Sequence, residues 1–579
     1  MTFQPVNVAD HLARLAAAEP TRPAIHFPTR GVRIDGPSDY LTYSFAELNA
    51  WADALAHGLK SIGIDRGTRT ALMVPPSPEF FALTFALLKL AAVPVLIDPG
   101  MGIKNLGTCL AEAEPEAFIG IPKAHLARRL FGWAKKSLRT TVNVGHWRFF
   151  CDLSLRGLRD LGSSHGPFNS PTVTADDPSA ILFTSGSTGI AKGVEYTHGI
   201  FAAQVELLKQ TYGIEPGEVD LCTFPLFALF GPALGMTCVI PDMNPSQPAT
   251  LDPRKALAQV KQFQVTNLFG SPAVVRRLGE LTEPLATVRR VISAGAPASP
   301  AALERLTKLL PSNAEIFTPY GATEALPVAN IGSREILAET RHLTDRGKGV
   351  CVGRLVAGIR VVVVPITDDA IAVWNELLVL PPGQIGEFVV RGPVVTKQYF
   401  HRPEATRLAK IHDPTTGEVL HRMGDVGYID DLGRLWFCGR KSHRVETPKG
   451  TLFTDQVEPI FNRSLQRGRT ALIGVRRNGV TYPVVCVEFG GWLYRDMNLK
   501  VRISWPGIET ELLKTAKLYD TTQSIGEFLP FTSPFPVDVR HNSKIFREKL
   551  AVWADKKLGS KWNPQAKTQG QPSLGLGGP

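Results

Sequence analysis

The sequence predicts an α/β protein with largely parallel sheets, a β-rich part and a small βα-type unit near its C-terminal end. Three observations support this fold class. Strand and helix patterns alternate between Thr70 and Ile121, β-type patterns take over after Arg360, and a βα-type remainder of about 120 residues runs to Lys561. At 579 residues the chain exceeds what one hydrophobic core normally supports, so two or more structural units are expected.

The alternating part begins with an apolar run, 71–74, that predicts a buried strand. Ser77 can cap the helix that follows, and Pro78 suits its first position, where the missing N–H is not needed. The helical pattern continues through Leu90, and the apolar runs 93–97 and 117–121 predict two further strands. Strand, helix and strand in this order indicate a parallel sheet.

Later segments predict a different organisation. The runs RVVVVP (360–365) and GEFVVRG (386–392) are of β type and indicate a smaller β-rich subdomain. The chain leaves this part near Arg440, which predicts a large domain 1–440 and a small domain 441–562. The last stretch, 563–579, is rich in Gly, Pro, Gln and Ser, and we expect it to be disordered.

Composition narrows the class of protein. The formal net charge is +11, but the basic excess is spread along the chain, so a nucleic-acid-binding face is not expected. The seven cysteines lie far apart without a CxxC pair, which disfavours a disulfide framework or a zinc site. The N-terminus lacks a signal-peptide core, and no run approaches the roughly 20 apolar residues that span a bilayer. We therefore expect a cytoplasmic protein.

One segment, 126–139, has two interpretations. Apolar positions share one predicted helical face, and basic residues occupy the rest. The apolar residues are Leu126, Leu130 and Trp133, and the basic ones are Arg128, Arg129, Lys135, Lys136 and Arg139. A solvated surface helix is the favoured interpretation, because a basic amphipathic pattern alone is a weak signal, and peripheral membrane contact is the alternative.

The most informative segment is ILFTSGSTGIAKG (181–193), in which an apolar strand runs into glycines and hydroxyl residues before one lysine. Glycines let the backbone approach a polyphosphate, and exposed N–H groups, hydroxyls and a lysine donate hydrogen bonds to it. The GxxxxGK[ST] loop does not fit, because Ala191 precedes Lys192 and Gly193 follows it. A glycine-serine surface turn is the alternative. The predicted phosphate-binding residues are Thr184, Ser185, Gly186, Ser187, Thr188, Gly189 and Lys192.

A second segment, FTPYGATE (317–324), combines an aromatic ring that can face a purine with a glycine, a hydroxyl and a carboxylate. Its predicted nucleotide-binding residues are Tyr320, Gly321, Ala322 and Thr323. Glu324 is the predicted ligand of the Mg²⁺ that accompanies ATP, since magnesium binds one or two carboxylates together with phosphate oxygens. Taken alone, the segment is equally compatible with a capped turn.

A third segment, 423–440, places two aromatic-rich strand patterns on either side of an Asp-Asp-Leu-Gly turn. The predicted hairpin brings Asp425 and Arg440 towards the same end. The carboxylate of Asp425 can accept both ribose hydroxyls, and the guanidinium of Arg440 can meet phosphate or ribose oxygens. A structural ion pair across the hairpin is the alternative.

In this order the three segments resemble the ANL superfamily of adenylating enzymes, and the resemblance extends over nearly the whole chain. SAGAP (293–297) is similar to the family's adenine-contacting loop, which adds Gly295, Ala296 and Pro297 to the nucleotide site. GEFVVRG, followed by Tyr399 and Phe400, is a further match. The resemblance implies the ANL fold, with a large N-terminal domain, a hinge just after Arg440 and a small, mobile α+β C-terminal domain.

The same resemblance implies ATP and Mg²⁺ as cofactors and assigns catalytic roles to Lys192, Thr323, Glu324 and Lys544. Lys544, in HNSKIFREK (541–549), matches the family's catalytic lysine on the small domain. It would bridge the substrate carboxylate and the α-phosphate, where charge develops and a preorganised cation helps most.

Departures from the acyl-CoA ligases point to a particular second half-reaction. Ser442 stands where those ligases usually carry an acidic hinge residue, the segment 444–450 replaces their glycine-rich loop, and Ala228 replaces a frequent histidine. Segments such as FPLFALFGPALG and HRMGDVGYIDDLGRLWFCGRKSHRVET are similar to the olefin-biosynthesis β-lactone synthetases. Those enzymes adenylate a long-chain 2-alkyl-3-hydroxy acid, whose own 3-hydroxyl then attacks to release a β-lactone and AMP.

The alkyl chain of such a substrate needs an apolar pocket, for which an ordinary core is the alternative. The candidates are Phe224, Phe227, Leu229 and Phe230. The resemblance implies pathway partners as well: a thiolase-like condensing enzyme, a ketone reductase and a β-lactone decarboxylase. Two other functions compete, a long-chain acyl-CoA or acyl-AMP ligase and a catalytically inactive membrane-recruiting or scaffold protein. Intact candidate residues argue against the second: Lys192, Glu324, Asp425, Arg440 and Lys544.

Overall fold

The computed structural model describes residues 6–145, 151–184, 191–224, 230–465, 468–488, 505–537 and 545–564. Its strands, numbered along the chain, are β1 Pro23–Pro28, β2 Tyr40–Ser44, β3 Arg69–Met73, β4 Val93–Leu96, β5 Ala117–Gly120, β6 Thr140–Asn143, β7 Leu153–Ser154, β8 Pro178–Thr184, β9 Lys192–Thr197, β10 Val219–Cys222, β11 Thr237–Val239, β12 Asn267–Gly270, β13 Arg290–Ser293, β14 Glu315–Ala322, β15 Ala325–Gly332, β16 Val350–Leu355, β17 Arg360–Val364, β18 Gly386–Arg391, β19 Lys410–His412, β20 Val419–Ile429, β21 Leu435–Arg440, β22 Val445–Thr447, β23 Gly450–Leu452, β24 Thr470–Arg477, β25 Val480–Glu488 and β26 Phe528–Phe531.

The α-helices are named here by their bounds. They are Ala9–Ala18, Phe45–Ser61, Pro78–Lys89, Ile103–Ala113, Pro122–Phe131, Leu155–Gly162, His198–Tyr212, Phe230–Leu234, Pro253–Phe263, Pro272–Leu278, Pro300–Thr307, Ser333–Glu335, Arg341–Thr344, Pro403–Ala409, Thr454–Ser464, Trp505–Ala516 and Arg547–Leu558. Short 3-10 helices occupy Pro99–Met101, Pro248–Thr250, Glu376–Leu378 and Lys441–His443, and a π-helical turn occupies Ile336–Thr340.

A seven-stranded sheet contains the predicted strand, helix and strand unit. Its order is β7-β6-β5-β3-β4-β8-β9, and all neighbouring strands are parallel except β8 and β9. The helix Pro78–Lys89 joins β3 to β4, and the hydroxyl oxygen of Ser77 accepts a hydrogen bond from the Phe80 N–H as its N-cap. These contacts confirm the predicted parallel unit.

A fourteen-stranded sheet runs through the rest of the larger part, in the order β17-β18-β20-β21-β16-β15-β14-β13-β12-β10-β11-β1-β2, with β19 paired to β20. Its parallel portion extends from β14 to β1. The β-rich strands predicted after Arg360 are antiparallel, and they extend this same sheet rather than forming a separate one. The structure therefore confirms an α/β fold with large sheets that contain parallel strands.

The main core lies between the two sheets. One cluster joins Ile25 of β1 to Leu72 of β3 and Ile119 of β5 through the helices Phe45–Ser61 and Pro78–Lys89. The second of these helices is buried at every position except Glu79, because side chains pack on it from all sides. Its one buried cation, Lys89, is paired with Asp53 of the neighbouring helix. In the described ranges, none of the helices has both the length and the apolar content that spanning a bilayer requires.

The helix in the basic segment differs from the prediction. It runs from Pro122 to Phe131 and ends because Gly132 adopts a left-handed conformation with φ 64°. Trp133 lies beyond this end and is buried, so it does not share a face with Leu126 and Leu130, which are exposed. The predicted single apolar face through Trp133 is wrong, because the C-cap glycine turns the chain inward.

The strands that follow Arg440 form sheets of their own. β22 pairs with β23, and β24, β25 and β26 form a three-stranded sheet. The helices Thr454–Ser464, Trp505–Ala516 and Arg547–Leu558 cover this sheet with two apolar clusters drawn from residues after Val445. The helix Thr454–Ser464 also packs against β21, which connects this C-terminal part to the large sheet.

Candidate active site

A cleft of about 1430 Å³ lies where the carboxyl ends of both parallel sheets meet. Its lining includes the segments 73–76 after β3 and 96–99 after β4 from one sheet, and Ala294 and Gly295 after β13 from the other. Ligands of open α/β sheets bind outside the carboxyl ends of the strands. This geometry makes the cleft the candidate active site.

The predicted phosphate loop joins two strands at the edge of this cleft. β8 and β9 are antiparallel, and Thr184 at the end of β8 pairs with Lys192 at the start of β9. Lys192 lines the cleft, with its Nζ 4.9 Å from the centre of the Tyr399 ring. The loop residues Ser185, Gly186, Ser187, Thr188 and Gly189 and the side chain of Thr184 lie outside the described residues, so their phosphate contacts stay predictions.

Glu324 is held in place from two sides. The hydroxyl of Tyr399 donates a 2.7 Å hydrogen bond to Oε1 of Glu324. Burial, and then the charge of Glu324, raise the pKa of Tyr399, so this hydroxyl stays protonated and acts as a donor. The main-chain carbonyl of Glu324 accepts hydrogen bonds from the N–H and the hydroxyl of Thr396, at 2.9 and 3.1 Å. One carboxylate oxygen is thereby oriented.

The turn that presents Glu324 joins β14 to β15. Gly321, Ala322 and Thr323 all line the cleft, as the predicted nucleotide site requires. The carbonyl of Thr323 accepts a 2.6 Å hydrogen bond from the hydroxyl of Tyr196. A Cβ at Gly321 would lie 2.8 Å from the carbonyl oxygen of Ala325, so the tight turn favours glycine here.

Asp425 and Arg440 face each other across the predicted hairpin, directly opposite in the register of β20 and β21. Nη1 of Arg440 lies 2.7 Å from Oδ1 of Asp425, and the Tyr320 hydroxyl donates a 2.6 Å hydrogen bond to Oδ2. Burial raises the pKa of Asp425, and the charge of Arg440 opposes this shift. Arg440 lines the cleft, whereas Tyr320 and Asp425 lie behind its wall, where the Tyr320 ring packs on Phe388.

The predicted ion pair is therefore present, and it does not exclude nucleotide binding. Although Oδ1 of Asp425 lies within ion-pair distance of Arg440, it receives no hydrogen bond of good geometry within the described part of the chain. Asp425 itself does not line the cleft, so its predicted contact with ribose hydroxyls stays a prediction.

The predicted adenine loop begins directly after β13. Gly295 has φ 96°, a left-handed backbone that favours glycine, and it lines the cleft with Ala294. Ala296 is half-buried and Pro297 is exposed. The buried hydroxyl of Ser293 has no hydrogen-bond partner among the described residues. The loop thus offers backbone groups and an unpaired hydroxyl beside the nucleotide site.

Aromatic side chains form an apolar part of the cleft lining. Phe224 and Phe230 line the cleft, as predicted, together with Phe201 and Phe269. The Phe230 ring packs edge-on against Phe201 at 5.9 Å, and Phe224 lies 5.8 Å from Phe269. The other two predicted pocket residues, Phe227 and Leu229, lie outside the described residues.

Comparison with known proteins shows which family the chain belongs to. The family model described as AMP-binding enzyme matches residues 12–400. The olefin beta-lactone synthetase of Stenotrophomonas maltophilia (strain K279a) is 48% identical over 96% of this chain and 99% of its own. The olefin beta-lactone synthetase of Xanthomonas campestris pv. campestris is 50% identical over 95% of this chain and 97% of its own. The chain belongs to the AMP-binding enzymes, among the olefin β-lactone synthetases.

Two solved structures share the fold of this chain. The amide bond synthetase McbA from Marinactinospora thermotolerans superimposes with a TM-score of 0.73 at 19% identity, covering 95% of this chain and 100% of that one. ATP-bound MatB from Rhodopseudomonas palustris gives 0.72 at 21% identity, covering 94% and 100%. These likenesses confirm the ANL fold.

In this AMP-binding enzyme, the support behind Glu324 was not predicted from the sequence. Lys410 of β19 is buried and donates hydrogen bonds to the carbonyl and the hydroxyl of Thr396, which in turn binds the carbonyl of Glu324. Burial lowers the pKa of Lys410 from 10.5 to about 7. Tyr399 follows the GEFVVRG motif, but the sequence assigns it no role. No local pattern predicts its contact with Glu324, because the two residues are 75 positions apart and meet only in the folded protein.

The predicted catalytic Lys544 lies outside the described residues, but the chain resumes immediately after it. Ile545 forms an isolated bridge with Val537, and Arg547 makes a 2.5 Å ion pair with Glu458. The helix Arg547–Leu558 follows, with its Leu550 in the C-terminal core. The residues after Lys544 are thus anchored to the C-terminal part of this AMP-binding enzyme.

Proposed function

We propose that this enzyme adenylates a long-chain 2-alkyl-3-hydroxy acid with ATP and then closes it to a β-lactone, releasing pyrophosphate and AMP. The observation that carries the proposal is the 48% and 50% identity to two olefin beta-lactone synthetases over nearly the full length of each chain. The cleft supports it, because polar groups of the predicted nucleotide site and four phenylalanine rings line the same cavity. In this proposal a thiolase-like condensing enzyme and a ketone reductase supply the acid, and a β-lactone decarboxylase consumes the product.

The first half-reaction forms the acyl-adenylate. A carboxylate oxygen of the acid attacks the α-phosphorus of ATP, the bond from that phosphorus to the bridging oxygen breaks, and pyrophosphate leaves. Negative charge develops on the phosphoryl oxygens during this step, and fixed cations stabilise it. Lys192 at the cleft edge supplies one such charge, and Lys544 is proposed to supply another.

The donor set fits a magnesium ion bound with ATP. Glu324 lines the cleft, with one carboxylate oxygen occupied by Tyr399 and its other oxygen available. No cluster of three or more His, Cys, Asp or Glu side chains that could hold a metal occurs in the ranges described above. One carboxylate with phosphate oxygens and water is how Mg²⁺ is usually held, and the ion neutralises phosphate charge. The protein's part is to orient Glu324.

The second half-reaction uses the substrate's own hydroxyl. The 3-hydroxyl oxygen attacks the acyl carbon, its proton passes to solvent, the bond from that carbon to the phosphate oxygen of AMP breaks, and a four-membered lactone forms. Since the nucleophile belongs to the same molecule, no second substrate site is needed. Effective molarities reach ~10⁵ to 10⁸ M in well-oriented cases, although a strained ring recovers less of this gain.

Domain movement completes the proposal. We assign 1–440 to the nucleotide- and acyl-binding domain and 441–562 to a small domain that carries Lys544 and rotates about the residues after Arg440. Support comes from the separate sheets β22–β23 and β24–β26, whose apolar clusters involve only residues after Arg440. The contact between the helix Thr454–Ser464 and β21 is the interface that such a rotation would change.

A product assay tests this function. The enzyme is incubated with ATP, Mg²⁺ and a 2-alkyl-3-hydroxy acid, with and without coenzyme A, and products are identified by NMR. We expect β-lactone and AMP without coenzyme A. The matched 2-alkyl acid that lacks the 3-hydroxyl should yield pyrophosphate but no lactone. Strict dependence on a thiol would contradict the proposal and favour an acyl-CoA or acyl-AMP ligase.

A further inference from the structure

The helix Pro122–Phe131 exposes large apolar side chains on the protein surface. Leu126 is 49% exposed and Leu130 is 70% exposed, and because they are four residues apart they lie on the same face. Phe131 at the end of the helix is 53% exposed. A soluble helix normally turns such residues to the core. These three residues, with the exposed lysines Lys123, Lys135 and Lys136, are called the basic apolar face below.

Within the segment 117–145 the Asp, Glu, Lys and Arg positions carry one sign of charge, although Glu116 and Asp152 of neighbouring segments lie near Arg139 and Arg128. Residues 117–145 contain no Asp or Glu but hold six basic residues. Those six are Lys123, Arg128, Arg129, Lys135, Lys136 and Arg139. Arg139 is 80% exposed, and its ion pair with Glu116 spans 3.8 Å. A surface helix stabilised by its own salt bridges would alternate charges, whereas this one concentrates positive charge around apolar side chains.

The active-site cleft opens beside the basic apolar face. Its lining includes Lys192 and Glu324 as well as Ile103, Lys123, Ala127 and Trp133. Ile103 is 53% exposed and Lys123 is exposed, so the cavity reaches the surface between the helices Ile103–Ala113 and Pro122–Phe131. One mainly apolar cavity is thus shared by this surface and the proposed adenylating groups.

We propose that the basic apolar face docks on an anionic lipid bilayer, so that the long-chain acid enters the cleft directly from the membrane. The entry route rests on the proposed function, whereas docking itself stands on the surface alone. Leu126, Leu130 and Phe131 insert among the acyl chains near the headgroups, and the lysines meet anionic headgroups. An acidic protein would match the charge but would leave the opening of an apolar cavity unexplained, and a bilayer satisfies both.

Vesicle binding tests the docking. The full chain is sedimented with phosphatidylcholine vesicles with or without phosphatidylglycerol, at low and high salt. We expect binding that requires phosphatidylglycerol and weakens with salt. Lys135→Gln/Lys136→Gln and Leu126→Ser/Leu130→Ser should each weaken vesicle binding about tenfold, since headgroup attraction and apolar insertion both contribute.

Matched variants elsewhere on the surface provide the controls. Lys556→Gln/Lys557→Gln removes an adjacent exposed lysine pair, and Leu377→Ser/Leu518→Ser removes two leucines that are 90% and 74% exposed. We expect both to bind vesicles like the unaltered chain. Absence of vesicle binding, or equal weakening by the controls, would overturn the docking proposal. Binding to an acidic protein without vesicle binding would do the same and would indicate a protein partner.

Activity measurements separate this proposal from the proposed function. Pyrophosphate release is measured with the hydroxy acid either dissolved in detergent micelles or embedded in anionic vesicles. Leu126→Ser/Leu130→Ser should slow turnover several-fold with vesicles and leave it unchanged with micelles. Equal rates in vesicles would overturn the entry route. No turnover in either form by the unaltered enzyme would contradict the proposed function but leave vesicle docking as a separate result.

Discussion

Lys410 is buried behind Glu324, the proposed metal ligand. It does not line the cleft, but it helps to orient Glu324. Its ammonium holds Thr396, and Thr396 binds the carbonyl of Glu324 while Tyr399 binds the carboxylate. Side chains of this kind fix the orientation of a functional group through its neighbours. The cost is the burial of a cation, which lowers the pKa of Lys410 to about 7 even though the charge of Glu324 opposes the shift.

This shift predicts a measurable pH dependence of stability. Below pH 7 both the folded and the unfolded chain carry the Lys410 proton, and the folded state bears the full burial penalty. Between about 7 and 10.5 only the unfolded chain keeps the proton, so stability rises with pH, by at most about 1.4 kcal/mol per unit. Lys410→Met should abolish this rise. The unfolding free energies of both proteins are compared by urea denaturation at pH 7 and 9.

The exposed Lys397, on the same connection, is the control. Lys397→Met should keep the wild-type rise in unfolding free energy between the two pH values. If Lys410→Met and the unaltered enzyme respond to pH in parallel, the lysine is not held partly deprotonated in the folded protein.

At the scale of elements, the backbone pairing of β20 with β21 positions Asp425 and Arg440, the two predicted ribose-binding residues. Asp425 opposes Arg440, and the register shifts between Val426 and Gly427, immediately after the aspartate. A Cβ on Gly427 would overlap the carbonyl oxygen of Trp436 on the facing strand and the ring of Phe388. Position 427 therefore needs glycine because the two strands approach closely there, and not because of its backbone φ.

Gly427→Ala should destabilise the enzyme by about 1–3 kcal/mol and weaken ATP binding about tenfold, because the strands must separate beside Asp425. Gly433 in the turn of the same hairpin has φ 70° and open space around its Cβ position. Gly433→Ala should cost about 1 kcal/mol of backbone strain and leave ATP affinity unchanged. Thermal denaturation and calorimetric ATP titration measure both quantities. Equal ATP affinities for the two variants would contradict a positioning role for this approach.

The same elements show what the sequence can predict. β3, β4 and the helix Pro78–Lys89 follow from local apolar runs and a Ser-Pro cap, and the β20–β21 hairpin follows from its turn residues. Trp133 was misplaced because one left-handed glycine ended its helix early. Lys410 gave no local signal at all, since its role depends on β19 lying beside β20 and on the distant turn at Glu324. Local sequence patterns specify single strands and helices. The residues that hold Glu324 in place come together only when distant strands pair.

At the scale of the whole molecule, charge links the cleft to the C-terminal part. Arg440, at the end of the large sheet, faces Asp425 and also acts on the buried carboxyl of Asp455. Burial raises the pKa of Asp455, with Arg547 and Arg440 among the groups that oppose the shift. Burial likewise raises the pKa of Glu458 to about 7, and Arg547 opposes that shift through its ion pair. The segment after Lys544 is therefore tied electrostatically to the interface with β21.

The proposed role of Lys544 predicts that the C-terminal part serves adenylation more than lactone formation. Lys544→Ala should reduce pyrophosphate release from ATP and the hydroxy acid by at least about 100-fold, because a preorganised cation at the α-phosphate is lost. Lactone formation from a supplied acyl-adenylate should change little, since it involves no attack at phosphorus. The exposed Lys549, whose Nζ lies 4.7 Å from the centre of the Phe546 ring, is the matched control. Lys549→Ala should retain both activities, and both variants should keep the wild-type melting temperature.

Two outcomes would contradict this prediction. Undiminished pyrophosphate release by Lys544→Ala would refute the role of Lys544, and equal loss in the two half-reactions would contradict its restriction to adenylation.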